Sequence, residues 1–374
     1  MEKVLLIGTG DVGAHILEIA ARTSPPYELV VADINEERAQ QLVNNAKFGA
    51  YHHGRYPNFR ATQIDLFDVE GTTEFLLKEK PDAIINCTVM HTWHLIRQLP
   101  EEIYARISSA ALGAWLPCQL TLGLKLSEAI QNAGIKPYFI NTSLSCLTNP
   151  VLSKAGYEPH IGIGNVDMIV PCVTYYIAEK LNIAPESIEL YMVCHHQHWV
   201  FPREAGYKPN APFFIKAIAD GVDISDQFDH NKAMYDGVKM YPPGLQFTQL
   251  SASSTLKNLH ALMFNQNLRT HSPGPLGLPG GYPVRLSSKG AEVVLPPEIT
   301  LEQAIEMNLK SSYLDGIEAF QDDGTVVFAD YTYEIMKETL GFDCKSFTPD
   351  ECEGRAKEMI SKYRELANKY GIEY

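Results

Sequence analysis

The chain begins with a short apolar segment that leads directly into a glycine-rich turn. Residues Lys3 to Ile7 are followed by a GxGxxG pattern and then by the apolar, helix-forming stretch Ala14 to Ala21. Gly8 allows a tight turn, Gly10 lets the backbone approach a pyrophosphate, and Gly13 lets the strand and the helix pack closely. This order of strand, turn and helix predicts the first unit of a parallel, doubly wound sheet.

The turn and the next strand predict a dinucleotide-binding site. Asp11 and Val12 lie at the start of the helix, where backbone N–H groups face phosphates. A second apolar strand, Glu28 to Ala32, ends at Asp33. A carboxylate at that point accepts hydrogen bonds from the adenosine ribose and repels a 2′-phosphate, which favours NAD over NADP. We therefore expect the cofactor to contact Gly8, Gly10, Asp11, Val12, Gly13 and Asp33.

Strand-like and helix-like segments alternate through the first part of the chain. They predict helices over residues 36–45 and 72–80 and strands over residues 60–64 and 82–88. The predicted fold class is therefore α/β, with an N-terminal Rossmann domain of doubly wound parallel sheet over residues 1–148. Residues 149–374 are predicted to form an α+β lobe for substrate binding, catalysis and oligomerisation.

Two polar residues follow predicted strands of this domain. Asp65 closes the third strand, where it would meet either the adenine amino group or, as a cap, the N-terminus of the next helix. Thr88 ends the fourth strand, whose carboxyl end is expected over the cofactor. Both residues are candidates for cofactor binding.

Charge and cysteine content narrow the classes of partner. Lys and Arg total 31 and Asp and Glu total 45, for a net charge of −14, which disfavours nucleic acid and anionic membranes. The seven cysteines contain no CxxC pair, as expected of reduced thiols. The first apolar segment is too short for a signal peptide or a membrane span. These features predict a cytoplasmic protein that acts on a small molecule.

Four segments beyond the first unit resemble the lactate/malate dehydrogenase superfamily, which also contains the NAD-dependent family 4 glycosidases. These segments are Tyr138 to Asn141, Gly162 to Asp167, Ile188 to His196, and Gly281 to Val294. The resemblance implies that Asn141 contacts the cofactor and substrate and that Asp167 orients a catalytic histidine. It identifies that histidine as His196, with His195 as the second candidate, and it implies a homodimer or homotetramer.

The chemistry of hydride transfer supports a histidine in this role. Moving a hydride between a carbinol carbon and nicotinamide requires a group that takes up the hydroxyl proton, and imidazole titrates near neutrality. A carboxylate fixes the tautomer of such a histidine and stabilises the imidazolium. Asp167 and His196 are therefore predicted to form this pair.

A metal site is a competing interpretation of the histidine cluster. On a strand, His196 and His198 would lie on the same face and would both be able to bind a divalent metal. The glycosidase relatives hold their metal with a cysteine and a histidine. Gly164 occupies the place of that cysteine, although Cys194 is close in sequence. A structural cluster without chemistry is the third possibility.

The substrate-binding residues depart from the family pattern. Asn141 lacks the following proline, and no arginine follows Asp167 to clamp a substrate carboxylate. Arg203 would replace that cation unless it forms a solvated surface pair with its neighbour Glu204. His91 and Trp93 would line a pocket for a polyhydroxylated or ring-containing substrate, unless this segment is a buried helix start. The candidate substrate residues are His91, Trp93, Arg203 and His195.

These features predict an NAD-dependent oxidoreductase that acts on a secondary alcohol or ketone of a polar metabolite, such as a sugar acid. Three alternatives stay open. One is a glycosidase-type hydrolase or lyase that uses NAD as a recycled hydride carrier. Another is an amine oxidoreductase, because Asp65 to Asp68 resembles the nucleotide domain of saccharopine and opine dehydrogenases. The third is an NAD-binding protein that has lost the chemistry.

Overall fold

A parallel sheet of six strands forms the first layer of the fold. The computed structural model describes residues 1–204, 210–241 and 246–372, without the side chains of Trp93 and residues 201–204. The strand order is β3-β2-β1-β4-β5-β6, which confirms the predicted Rossmann fold. The strands are β1 Lys3–Ile7, β2 Glu28–Asp33, β3 Phe59–Gln63, β4 Ala83–Asn86, β5 Tyr138–Asn141 and β6 Ile161–Gly162.

Six helices belong to the segment that builds this sheet. They are α1 Asp11–Thr23, α2 Glu36–Tyr51, α3 Val69–Glu79, α4 Glu101–Ser108, α5 Leu116–Asn132 and α6 Ser145–Lys154. The strand order reverses between β1 and β4, so the crevice at the carboxyl ends of these strands is the usual ligand site of such a sheet.

The glycine turn between β1 and α1 has the geometry that its sequence predicts. Gly8 has a φ of +93°, in the left-handed region that favours glycine. A Cβ on Gly13 would lie 2.1 Å from the carbonyl oxygen of Gly8, so only glycine lets α1 approach the strand this closely. A Cβ on Gly10 would have no atom within 4 Å, which leaves open space on that side of the turn.

The second half of the chain combines helices with three antiparallel sheets. The helices are α7 Val166–Leu181, α8 Gln197–Glu204, α9 His230–Val238, α10 Thr248–Met263, α11 Leu301–Leu314, α12 Asp330–Ile335 and α13 Cys352–Lys369. The first sheet contains β7 Ile188–Val193, β8 Phe214–Ala219 and β9 Val222–Asp223. The second contains β10 Leu268–Pro273, β11 Gly281–Ser287 and β12 Gly290–Val293. The third contains β13 Ile317–Phe320, β14 Val326–Phe328 and β15 Ser346–Phe347.

The two halves of the chain share their hydrophobic core. Adjacent residues of β1 point to opposite faces of the sheet. Leu5 packs in a cluster that includes Tyr363 of α13, whereas Leu6 packs in a second cluster that includes Leu259 of α10. The predicted boundary after residue 148 falls inside α6, and β6 extends the sheet beyond it. The chain therefore does not divide into two independent cores at that residue.

The predicted strand through His196 is shorter than expected. Strand β7 ends at Val193, Cys194 forms an isolated bridge with Gly281, and α8 begins at Gln197. His195 and His196 therefore lie in a turn rather than on a strand. The strand alternation that would place His196 and His198 on one face does not apply.

A helix that crosses a membrane must be long and predominantly apolar. Within residues 1–204, 210–241 and 246–372, no single helix is long and apolar enough to cross a bilayer. Glu101–Ser108 and Leu112–Asn132 meet the length and composition requirements only as a pair, and the pair is bent by 91°.

Candidate functional site

One cleft connects the glycine turn with the predicted catalytic histidine. It begins at the turn, crosses the carboxyl ends of β4 and β5, and reaches the turn between β7 and α8. The residues that mark this path are Gly10, Asp11, Val12, Cys87, Thr142, Ser143, Asn165 and His196. The sequence-predicted cofactor turn and His196 therefore line the same cavity.

Asp33 lies at the end of β2 beside the glycine turn. One carboxylate oxygen accepts hydrogen bonds from the backbone N–H and the hydroxyl of Thr9, at 2.7 and 2.6 Å, and the other accepts from the N–H of Asn35 at 3.0 Å. Burial alone would raise the pKa of Asp33, but these hydrogen bonds and the charge of Arg38 outweigh it and lower the pKa. The carboxylate therefore stays ionised near the expected ribose position.

The other two predicted cofactor residues have local partners. The Asp65 carboxylate accepts a hydrogen bond from the N–H of Phe67 at 2.9 Å and forms a tight turn, whereas Asp68 caps α3. The Thr88 hydroxyl donates a hydrogen bond to the side-chain oxygen of Asn86 at 2.7 Å. The cleft at this point is lined by Cys87 and Val89, the residues on either side of Thr88.

His196 is held at both of its ring nitrogens. Nδ1 lies 2.7 Å from the sulfur of Cys146, and Nε2 lies 2.9 Å from the Oδ2 atom of Asp315. The side chain of His196 is 1% exposed and that of Asp315 is 2% exposed. Burial alone would lower the pKa of His196, but the Asp315 carboxylate and the Cys146 sulfur outweigh it and raise the pKa to about 10.

Three separate elements bring these groups together. Cys146 is the second residue of α6, His196 lies in the turn between β7 and α8, and Asp315 follows the last residue of α11. The other carboxylate oxygen of Asp315 accepts a hydrogen bond from the N–H of Leu112 at 3.2 Å. This bond fixes the carboxylate toward His196.

Asp167 is not the partner of His196, contrary to the sequence-based prediction. Its carboxylate accepts hydrogen bonds from Lys257 at 2.6 and 2.8 Å, from Ser254, and from Thr270 at 3.3 Å. Asp167 therefore joins the first turn of α7 to α10 and β10. Its lone pairs are used by these donors, and Asp315 occupies the position beside the imidazole.

His198 does not pair with His196 as a metal ligand, contrary to the sequence-based alternative. Nδ1 of His198 lies 2.9 Å from the carbonyl oxygen of His195, and Nε2 lies 3.2 Å from that of Ala211, so both ring nitrogens contact the backbone. Potential ligand atoms of Cys146, His195 and His196 instead lie within 4.8 Å of one another. All three residues are buried.

Asn141 lies behind the cleft rather than in it. Its amide nitrogen donates to Thr148 at 3.0 Å and to Asn149 at 2.8 Å, and its oxygen accepts from Asn86 at 3.1 Å. It is 1% exposed. These partners occupy the amide group of Asn141, so its side chain does not face the cleft as predicted. Thr142 and Ser143, the next two residues, line the cleft instead.

The predicted substrate residues have different positions. His91 is buried against the ring of Trp115, with ring centroids 5.3 Å apart, and burial lowers its pKa to about 4. His94, three residues later, lines the cleft. His195 is buried, with Nε2 3.5 Å from the hydroxyl oxygen of Ser312. The side chains of Trp93 and Arg203 lie outside the described residues.

The wall of the cleft near His196 combines aromatic, aliphatic and uncharged polar side chains. No lysine or arginine occurs among the lining residues that the structure describes. The rings of Trp199 and Phe247 pack edge to face with centroids 4.6 Å apart. This wall includes Leu112, Trp115, Gln119, Met168, Trp199, Phe247, Thr248 and Ser251.

Cys146 and Asp315 were missed by the sequence analysis. Cys146 precedes no histidine at a recognisable spacing, and Asp315 followed by Gly316 is typical of a helix end. His196 and Asp315 are separated by 119 residues. No short motif connects positions that far apart.

The geometry of the nucleotide end agrees with the comparisons with known proteins. Residues 4–96 match the family model described as the saccharopine dehydrogenase NADP binding domain. No curated protein sequence matches the chain. The family match covers only the first strands and helices of the sheet and therefore concerns nucleotide binding.

Solved structures of similar fold cover most of the chain. Malate dehydrogenase from Plasmodium falciparum has a TM-score of 0.57 and 15% identity and covers 90% of this chain and 100% of its own. MGS-M5, a lactate dehydrogenase from a Medee basin deep-sea metagenome library, has a TM-score of 0.56, 15% identity, and coverages of 84% and 96%. Malate dehydrogenase from Cryptosporidium parvum has a TM-score of 0.55, 14% identity, and coverages of 84% and 98%. The predicted resemblance in fold is confirmed.

Lys257→Met tests the structural role assigned to Asp167. The carboxylate is 3% exposed and loses its cationic partner, but Lys257 is 41% exposed, so solvent screens part of the loss. We expect the free energy of unfolding in urea to fall by about 1 to 3 kcal/mol. Lys310→Met on the exposed face of α11 is the control and should change it by less than about 0.5 kcal/mol. Equal stability of the two variants would contradict this role.

Proposed function

We propose that this protein is an NAD-dependent oxidoreductase that transfers a hydride between nicotinamide and a secondary alcohol or ketone of a polar metabolite. The observation that carries this proposal is the single cleft from the glycine turn to His196. A dinucleotide held at the turn and extended over β4 and β5 would bring its reactive ring to the part of the cleft that His196 lines. The similarity to malate and lactate dehydrogenase structures supports the same arrangement.

The residues of the turn bind and orient the cofactor in this proposal. Helix α1 begins at Asp11 with no side-chain cap, so its first backbone N–H groups are available to a pyrophosphate. Asp33 accepts hydrogen bonds from the ribose hydroxyls. The bound nicotinamide dinucleotide supplies or accepts the hydride. Cys87, Thr142 and Ser143 flank the space over the carboxyl ends of β4 and β5.

His196 is the proposed acid/base group at the substrate end of the cleft. Asp315 balances the charge of the imidazole and fixes its orientation. Because Nδ1 faces the sulfur of Cys146, a proton at Nδ1 is shared with that thiol rather than pointed freely into the cleft. Exchange with substrate therefore requires the contact between His196 and Cys146 to open.

The aromatic and uncharged polar side chains in the wall of the cleft support a hydroxyl-rich or ring-containing substrate. Aromatic faces pack against the apolar faces of such molecules, and hydroxyl and amide groups such as those of Ser251, Thr248 and Gln119 bind their polar groups. A cytoplasmic location and a homodimer or homotetramer stay predictions from the sequence.

An amine oxidoreductase is the second candidate function. The match to the saccharopine dehydrogenase NADP binding domain favours it, but the match ends at residue 96, before β5 and the turn that carries His196. The same match raises the question of NADP. Arg38 donates a hydrogen bond to the carbonyl oxygen of Thr9 at 3.0 Å, so a cation already lies beside Asp33.

Gly10→Ala tests the proposed dinucleotide site. The new methyl group contacts no protein atom but occupies the space where a pyrophosphate would approach. We expect at least about a tenfold loss of NADH affinity, measured by fluorescence titration, with unchanged thermal stability. Gly13→Ala is the matched comparison: its Cβ meets the Gly8 carbonyl oxygen at 2.1 Å, so stability itself should fall. Unchanged NADH affinity in a folded Gly10→Ala protein would contradict the site.

Asp33→Ser tests the preference for NAD. The substitution removes the carboxylate that repels a 2′-phosphate and leaves the Arg38 guanidinium to attract it. We expect NADPH affinity to rise and NADH affinity to fall, which would change their ratio by at least about tenfold. A wild-type protein that already prefers NADPH would overturn the NAD assignment and leave the oxidoreductase proposal intact.

His196→Asn tests the chemistry. We expect the wild-type protein to oxidise NADH in the presence of a ketone from a panel of keto acids and ketoses. The rate should be lower by about 10²-fold or more in His196→Asn, and this variant should still bind NADH. His260→Asn is the control. His260 lies in α10, its Nε2 atom is 3.2 Å from the hydroxyl oxygen of Tyr27, and it is not among the residues that line the cleft. Oxidation only in the presence of an amine would favour the second candidate. NADH binding without any transfer would favour a non-catalytic protein.

A further inference from the structure

We propose that Cys146, His195 and His196 form a binding site for a divalent metal ion of the zinc class, with Asp315 supporting His196 from behind. This site goes beyond the proposed function, because the ion would bind without dinucleotide or substrate. A bound ion would occupy Nδ1 of His196, so the acid/base role proposed for that imidazole belongs to the metal-free protein. The site lies at the end of the cleft, where the start of α6 meets the turn between β7 and α8.

The three side chains converge in a buried space. A potential ligand atom of each lies within 4.8 Å of the other two. Cys146 and His195 are 0% exposed and His196 is 1% exposed. A thiol and two imidazoles that meet away from solvent match the ligand types of zinc sites.

An unpaired buried nitrogen points to a ligand at this place. Nδ1 of His195 has no hydrogen-bond partner among the described residues, although the side chain is fully buried. Such an unsatisfied polar atom is unfavourable in a buried position.

Asp315 provides the outer support that metal-binding histidines usually have. Such a histidine commonly donates its second ring N–H to a carboxylate, which fixes the tautomer and directs the other nitrogen to the metal. Nε2 of His196 lies 2.9 Å from Asp315, so Nδ1 faces Cys146. The side-chain N–H₂ group of Asn165 lies 3.4 Å from the same sulfur and orients it further.

The donor set selects the class of metal. A thiolate and imidazoles favour Zn²⁺ or Co²⁺ over Mg²⁺ or Ca²⁺, which prefer oxygen ligands. Zinc bonds of about 2.3 Å to sulfur and about 2.0 Å to nitrogen place those two atoms about 3.5 Å apart at a tetrahedral angle. Sγ and Nδ1 are 2.7 Å apart, so binding moves them apart by less than about 1 Å and displaces the proton between them.

Three protein ligands leave a fourth position for a substrate oxygen or water, as in catalytic zinc sites. His196 lines the cleft, whereas the side chains of Cys146 and His195 are fully buried. None of the three ligands comes from Gly164, the place of the cysteine in the glycosidase relatives, and His198 is not among them. The site is thus formed by the start of α6 and the turn before α8.

The first test is Co²⁺ titration of the full-length protein after treatment with a chelator. We expect one Co²⁺ per chain, with the absorption bands of thiolate ligation and tetrahedral geometry, and displacement by Zn²⁺. Cys146→Ser should abolish the thiolate band, and His195→Gln should weaken binding at least about tenfold. Cys172→Ser, at a buried thiol in α7, and His198→Gln should both retain binding.

The second test measures stability, so that a folding defect is not mistaken for lost ligation. Zn²⁺ should raise the unfolding midpoint of the wild-type protein by mass action and should not raise that of Cys146→Ser. Absence of one-to-one binding to the wild type, or loss of binding in His198→Gln with retention in His195→Gln, would overturn the site. Separate NADH titrations of the same samples report on the proposed function, so its failure is distinguishable.

Discussion

The buried contact between His196 and Asp315 joins the parts of the chain that make the site. The carboxylate follows α11, is fixed by the N–H of Leu112, and reaches the imidazole from the side opposite Cys146. A buried imidazole and carboxylate are unfavourable alone, so each requires the other in place. This requirement holds the end of α11 and the start of α6 against the turn before α8. These three elements meet at the end of the cleft that His196 lines.

The carboxylate beside His196 comes from a different part of the chain than the sequence predicted. Asp167 lies in the segment that resembles lactate and malate dehydrogenases, but Lys257, Ser254 and Thr270 use its oxygens. Asp315 supplies the negative charge beside the imidazole instead. The position of a residue in a similar segment therefore did not predict its partner, because hydrogen-bond donors on distant helices decide which group is free.

The end of the cleft at the glycine turn and the end at His196 were predictable to different degrees. The strand, the glycine turn and Asp33 are local in sequence, and their spacing reflects the close packing of α1 on β1. Near His196 the wall comes from many elements, and aromatic residues such as Trp115 and Trp199 have no spacing that distinguishes a cleft from a core. The structure was needed to place them.

The sequence by itself determined the parallel sheet, its order of elements and the turn at its edge, because glycine geometry and apolar periodicity act over a few neighbouring residues. It also predicted a functional histidine in the pair His195 and His196, with His196 as the first candidate. Tertiary structure alone decided that Cys146 and Asp315 flank this ring and that Asn141 is buried behind the cleft. Those contacts join residues far apart in the chain, and their free energies depend on burial and on competing donors that only the folded protein defines.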